Sequence, residues 1–264
     1  MKTLQNKSYE REFFRGVLEE PTEYDKEYFD YLRKVLIKYI PKIKYKKYKV
    51  LEAGCGIGIF GKFLLNLNPN LKITGVDITP EMVKLANEPP TQNYHAITND
   101  LEDENIFDKD QFELILCPFI LHHFPLIDKV FYNLSEWIKH DGFLIIIEPN
   151  GSNPVNKLFG LMRVYLTSIF GKDYIINHRL ATPNEVAHSV NTYMYILKKL
   201  NYNILFIDTN HFQMNNVKSL SISRLILYEI KNSLYKILVL CLPKLMRGSR
   251  IVIIAKKIKN GCIL

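Results

Sequence analysis

Seven consecutive residues, Glu52-Ala53-Gly54-Cys55-Gly56-Ile57-Gly58, hold the densest chemistry in the sequence. Alternating glycines let the backbone turn tightly and let a ligand come into contact with the main chain. A helix opening there offers free N–H groups. Glu52 sets a carboxylate just ahead of the loop, where it suits a cationic amine and would repel a pyrophosphate. Asp77 ends the next apolar run, roughly 20 residues on, where an acid can hold ribose hydroxyls. Asn99-Asp100 closes a third run, and Asp100 can accept a hydrogen bond from an adenine amino group. Cys117 ends a fourth run, and His122 and His123 follow it. Imidazole is the side chain best suited to take a proton near neutral pH. Glu148 ends a fifth run, where it can accept a substrate proton or fix an amine.

The glycines fit two spacings. Gly54, Gly56 and Gly58 form GxGxG, while Gly56, Gly58 and Gly61 form the GxGxxG of dinucleotide-binding loops, a weak signal by itself. Asp77 serves either. Glu52 and Asp100 are used only by the first.

The elements that must hold these residues alternate. An amphipathic helix is expected over 22–40, with Tyr28, Leu32, Val35, Leu36 and Tyr39 on one face and Pro41 at its end. Strand-like runs follow at 48–53, 71–77, 94–98, 112–117 and 143–148. Helical segments separate them at 58–67, 80–87 and 126–139, with Thr79 and Pro80 opening the second of these and Asp141-Gly142 turning into the last strand. Continuous apolar strands between helices mean an α/β fold with a parallel sheet covered on both faces. Right-handed crossovers then bring every strand's C-terminal end, and with it Glu52, Asp77, Asp100, Cys117 and Glu148, to one edge, where such sheets bind ligands. Beyond residue 150 a helix is expected at 154–170, another from a Thr182-to-Glu185 capping box to about Leu200, a strand at 202–208, helical pattern over 215–246 and a last strand at 250–255.

The chain has 264 residues, 47% of them hydrophobic, enough for one packed domain without metals or disulfides. Cys55, Cys117, Cys241 and Cys262 are scattered, which points to a reducing, cytoplasmic setting and no zinc site. No signal-like segment opens the sequence, and no uncharged run is long enough to span a bilayer. The net charge of +8 comes from dispersed lysines, densest at Lys42, Lys44, Lys46, Lys47 and Lys49. A solvated face accounts for it, with an anionic partner as the other reading.

Leu51 to Gly58 resembles motif I of the class I S-adenosylmethionine (SAM)-dependent methyltransferases. Gly75-Val76-Asp77-Ile78, Asn99-Asp100-Leu101, Phe112 to Phe124 and Ile138 to Leu144 resemble the motifs that follow it, in the small-molecule group. The likeness is clear over about residues 48–150. It implies a Rossmann-like, doubly wound seven-stranded sheet, order 3-2-1-4-5-7-6 with the last strand antiparallel, carrying helical cap insertions at about 150–181 and 213–247. The whole chain would form one methyltransferase domain, with a SAM-binding core at about 45–150. The resemblance further implies that Gly54, Cys55, Gly56 and Gly58 line the methionine portion of SAM, with Glu52 on its amine directly or through water. Asp77 would hold the ribose, Ile78, Asp100 and Leu101 the adenine, and Cys117 the edge of the sulfonium.

The expected activity is SN2 transfer of the methyl to an oxygen, nitrogen or carbon of a small, apolar or aromatic acceptor, leaving S-adenosylhomocysteine. His122 and Glu148 are the candidate catalytic residues and Tyr24, Tyr28 and His123 the candidate substrate contacts; no metal is expected. Acceptor choice falls to residues 9–30, 150–181 and 213–247, which also hold Phe29, Phe159, Met162, Tyr165, Phe170 and Met214, with Phe212 adjoining. The basic, apolar segment 217–247 is compatible with peripheral membrane contact. Competing readings are an NAD-dependent oxidoreductase, an RNA methyltransferase and a non-catalytic SAM-binding protein. No appended RNA-binding module is visible, so nucleic acid is a poor fit.

Overall fold

A computed structural model describes residues 26–171, 185–211, 222–238 and 242–259. The elements run α1 (Lys26–Tyr39), β1 (Lys49–Ala53), α2 (Ile59–Leu67), β2 (Lys72–Asp77), α3 (Pro80–Ala86), β3 (Tyr94–Thr98), β4 (Phe112–Pro118), a 3-10 turn (Leu121–His123), α4 (Asp128–Trp137), β5 (Ile138–Pro149), α5 (Pro154–Phe170), α6 (Val190–Lys199), β6 (Tyr202–Asn210), α7 (Ile222–Leu238), α8 (Lys244–Arg247) and β7 (Arg250–Lys257). The seven strands form one sheet, order β3-β2-β1-β4-β5-β7-β6. β1 to β5 are parallel, and β7 runs antiparallel to both its neighbours. This is the Rossmann-like order expected from the sequence.

Alternation along each strand explains why the runs read as unbroken apolar stretches. Val50, Leu114, Leu116, Ile145, Ile147, Val252 and Ile254 face one layer, with Tyr28, Leu32 and Leu36 of α1 and Phe60 and Leu64 of α2. Leu51, Ile115, Cys117, Leu144, Ile146, Ile251 and Ile253 face the other, with Phe131 and Leu134 of α4 and Val190, Tyr193 and Leu197 of α6. Each such fully buried aliphatic or aromatic side chain stabilises the fold by about 1.5–3 kcal/mol. The strand ends next to the site are anchored by this two-sided packing.

Some boundaries differ from expectation. Residues 185–189 are irregular, and α6 starts only at Val190, where the Ser189 hydroxyl accepts from Thr192 N–H. The expected capping box is therefore not the start of this helix, and Thr182 lies outside the described residues. α4 stops at Trp137 rather than Lys139, because Ile138 already pairs with Phe112. Asp141, with φ of 62°, makes its turn inside β5, where the register to β4 shifts. Thr79 occupies the N-cap of α3 without a side-chain capping bond. The stretch read as helical over 215–246 is two helices, α7 and α8, among the described residues.

α5 fulfils its expectation closely, from an Asn153 cap that accepts from Val155 and Asn156 N–H. Leu158, Leu161, Tyr165 and Ile169 recur along it at helical spacing and are exposed. Among the described residues, no helix is long and apolar enough to cross a membrane.

Candidate functional site

The glycine loop leaves β1 in a run of left-handed turns: φ is 68° at Gly54, 50° at Gly56 and 78° at Gly58. A side chain there would be strained, and the surroundings divide the glycines by role. At Gly54 a Cβ would lie 2.4 Å from the Ile120 side chain, and at Gly58 it would lie 2.7 Å from the Tyr94 hydroxyl. At Gly56 a Cβ would meet nothing within 4 Å. Gly56 therefore presents bare backbone to open space, as a ligand-contacting position should.

Beneath the loop, Glu52 is fully buried. Gly61 N–H donates to its Oε1 at 2.9 Å and the Tyr94 hydroxyl to its Oε2 at 2.7 Å. Burial pushes the Glu52 carboxyl up to about 7; the Tyr94 hydroxyl, the Gly61 N–H and the positive charge of Lys62 restrain the rise. Burial and the neighbouring Glu52 push the Tyr94 phenol far up, so it remains a proton donor. The Tyr94 ring fills a slot between glycines, since a Cβ at Gly58, Gly61 or Gly75 would strike it at 2.7, 2.3 or 2.7 Å. Gly61, third glycine of the GxGxxG spacing, is thus needed for packing over Tyr94 and Glu52. No sequence reasoning singled out Tyr94; a tyrosine opening a strand carries no local signal of three glycines converging on it.

At the end of β2, Asp77 Oδ2 accepts from Gly56 N–H at 2.9 Å, and its Oδ1 accepts from Thr79 N–H at 2.9 Å. Burial raises this carboxyl; those two N–H groups and the charge of His123 pull against the rise. Asp77 therefore ties the glycine loop to β2 and sits beside the open face of Gly56, with Ile78 half-buried next to it. Asp100 shapes its own turn, its Oδ1 accepting from Glu102 N–H at 3.0 Å. Leu101 is buried, and its carbonyl accepts from the Asn133 amide at 2.9 Å. The Cys55 thiol is buried, as is Cys117, and burial raises both well above the usual thiol range. Cys117 belongs to the layer packed on α4 and α6, so what it offers the crevice is backbone.

On the other side of β1, Glu148 is fully buried beneath the turn that follows β4. Its Oε1 accepts from Ile120 N–H at 2.8 Å and Leu121 N–H at 2.6 Å. Its Oε2 takes His122 N–H at 3.3 Å and lies 2.7 Å from His122 Nδ1. A carboxylate with main-chain donors on both oxygens accepts from Nδ1–H, which leaves the lone pair on His122 Nε2. Glu148 is thus a positioning group that cannot itself meet a substrate, while His122 is partly exposed with its ring 4.1 Å from that of His123. Among the described residues His122, His123 and Glu185 bring three possible cation ligands within 4.8 Å of one another. Glu185 is paired there with Arg163 at 3.0 Å.

Of the candidate substrate contacts, Tyr24 lies outside the described residues, as do Phe212 and Met214. Tyr28 is fully buried in α1, its ring 4.9 Å from the Arg250 guanidinium. Arg250 was not foreseen. It opens β7 opposite Pro149, and because β7 is antiparallel its first residue falls at the same edge as Glu148.

Strand order, the antiparallel β7 and a bare glycine bend flanked by Asp77 define a class I SAM-dependent methyltransferase fold; dinucleotide-binding sheets run 3-2-1-4-5-6. Comparison with known proteins agrees. A family model described as a methyltransferase domain matches residues 51–144. A ubiquinone biosynthesis O-methyltransferase from Glaesserella parasuis is 27% identical over 135 residues, 48% of this chain and 52% of that protein. A malonyl-(acyl-carrier protein) O-methyltransferase from Ilyobacter polytropus is 44% identical over 62 residues, 23% of each. The crystal structure of a SAM-dependent methyltransferase from Archaeoglobus fulgidus superimposes with a TM-score of 0.55 at 17% identity, covering 87% of this chain and 94% of that one. The chain spans about half the length, or less, of these two curated relatives. Residues 51–144 thus match a methyltransferase domain, and the sheet around them has the fold of class I SAM-dependent methyltransferases.

Proposed function

We propose that this protein transfers a methyl group from SAM to an oxygen of a small acceptor. The observation that carries the reading is the open face at Gly56 beside the Asp77 carboxylate, suited to an adenosyl ligand, with the Glu52 carboxyl beneath the loop as the group that disfavours a pyrophosphate. The named O-methyltransferase relatives support oxygen as the acceptor atom.

In this reading Gly54, Gly56 and Gly58 carry the methionine portion, Asp77 the ribose hydroxyls, and Ile78, Asp100 and Leu101 the adenine. Glu52 offers its negative charge to the methionine amine from beneath the loop. SAM supplies a methyl on a sulfonium that leaves as a neutral thioether, so the chain has to align the acceptor and exclude water. As the acceptor oxygen's lone pair forms the new bond, its proton passes to His122 Nε2, with Glu148 stabilising the resulting imidazolium. His123 borders the same space, and the caps around α5 and α7 cover the acceptor.

The test is ligand discrimination. SAM or S-adenosylhomocysteine should raise the melting temperature and NAD should not, because only a true ligand of the native state stabilises by mass action. Asp77→Ala should weaken S-adenosylhomocysteine binding about 10- to 100-fold by calorimetry, the range for losing hydrogen bonds to a charged group. Stabilisation by NAD alone, or unchanged affinity in Asp77→Ala, overturns the reading.

A further inference from the structure

Among the described residues, two cations near this edge of the sheet have no carboxylate bonded to them. The Arg250 guanidinium lies 4.9 Å from the Tyr28 ring centroid and 5.4 Å from that of Phe119, the residue just after β4. Phe119 is held at φ of 56° by its N–H bond to the Ile147 carbonyl at 2.7 Å, a backbone conformation rare for a bulky side chain. Stacking satisfies the faces of a guanidinium, not its five N–H donors. Among the described residues neither a carboxylate nor any other acceptor lies within bonding distance of those donors.

Lys231 of α7 repeats the pattern. Its ammonium sits 5.2 Å from the Phe159 ring centroid and 6.0 Å from that of Tyr235, again with no acceptor in reach among the described residues. Burial, and the positive charge of Arg250, lower the Lys231 ammonium below the ordinary lysine range; Glu185 opposes this but is itself held by Arg163. The two cations belong to one cluster. The Tyr235 hydroxyl bonds Asn156 Oδ1, and the Asn156 amide donates to Ser249 O at 2.8 Å, next to Arg250. His211 bridges the same residues, its Nδ1 2.8 Å from Ser249 Oγ and its ring 4.2 Å from that of Tyr235.

Both cations are only partly exposed, and taking charge out of water without a partner is costly unless a ligand provides one. We propose that Arg250 and Lys231 form an anion subsite, and that the methyl acceptor carries a carboxylate or phosphate seated between them, its apolar part directed along Phe119. This inference rests on the methyl-transfer reading for the word acceptor. The subsite itself stands on the two cations.

Octanoate, octyl phosphate, inorganic phosphate and neutral octanol serve as probes, titrated calorimetrically into the full chain with and without S-adenosylhomocysteine. Octanoate or octyl phosphate should bind at least about tenfold tighter than octanol, the least that a charge-assisted hydrogen bond contributes. The better of the two identifies the anion, and phosphate alone should bind more weakly than its octyl ester. Arg250→Gln and Lys231→Met should each lose about tenfold in anion affinity and keep S-adenosylhomocysteine affinity within about twofold. Circular dichroism melts confirm folding, and Lys231→Met, on a cap helix, keeps the test valid should Arg250→Gln fail to fold. Equal binding of octanol and octanoate, or unchanged octanoate affinity in both variants, overturns the subsite. Failure of S-adenosylhomocysteine to bind the wild type while octanoate binds would instead sink the methyl-transfer reading and leave the subsite standing.

Discussion

The Tyr94 hydroxyl donates to Glu52 Oε2 at 2.7 Å, joining the first residue of β3 to a buried carboxylate beneath the glycine loop of β1. With the Gly61 N–H on the other oxygen, this bond decides which way the carboxylate points. Tyr94→Phe keeps the ring in its slot and removes only the donor. It should cost about 1–3 kcal/mol, the penalty for leaving a buried charged acceptor short of a partner, read as a lower urea midpoint with an unchanged slope. A stability equal to wild type would show that water replaces the hydroxyl there.

Glu52 should also make stability pH-dependent. Its carboxyl is raised to about 7 in the fold from an ordinary 4.5, so the native state holds the proton that the unfolded chain releases. The contribution is therefore fully present below about pH 4.5 and is lost as pH rises through 7, by about 3 kcal/mol at the most. Glu52→Gln should flatten that part of the profile. A cationic amine near Glu52 would favour its ionised form, so SAM binding near pH 6.5 should release a proton, visible as a binding enthalpy that depends on the buffer. A buffer-independent enthalpy would separate Glu52 from the amine.

Gly56 and Gly61 should fail differently when changed to alanine. At Gly61 the new Cβ meets Tyr94 Cε2 at 2.3 Å and Glu52 Oε2 at 2.5 Å, so stability should fall by about 1–3 kcal/mol through overpacking. At Gly56 the Cβ enters open space, and the cost to stability is the left-handed backbone, about 1–2 kcal/mol. S-adenosylhomocysteine affinity should nonetheless fall more in Gly56→Ala, at least about tenfold. Thermal melts beside calorimetry separate the two; tight binding by Gly56→Ala would move the ligand elsewhere.

His122→Gln should lower turnover about 10²- to 10⁴-fold if Nε2 takes the acceptor's proton, with S-adenosylhomocysteine affinity unchanged. Glu148→Gln would place an amide where two oxygens accept main-chain N–H groups, so it should lose both turnover and about 1–3 kcal/mol of stability. Full activity in His122→Gln, measured with an acceptor that needs deprotonation, would leave methyl transfer without a base.

Local sequence was enough for much of this protein. The glycine spacing, Asp77 one crossover later and the alternation of apolar runs with helices specified a parallel α/β core and one ligand-bearing edge, because period and turn chemistry act over a few residues. The resemblance supplied the strand order. What the tertiary structure alone decided was partnership across the sheet. Glu148 reads in sequence as a group that takes a substrate proton or fixes an amine, yet its face of β5 lies under the 120–122 main chain, whose N–H groups fill it. Tyr94 stands 42 positions from Glu52, and only the parallel pairing of β1, β2 and β3 makes them neighbours. Arg250 looks like the edge of a closing strand until the antiparallel direction of β7 carries it to the site. Such contacts depend on strand order, direction and facing, which no short window of residues encodes.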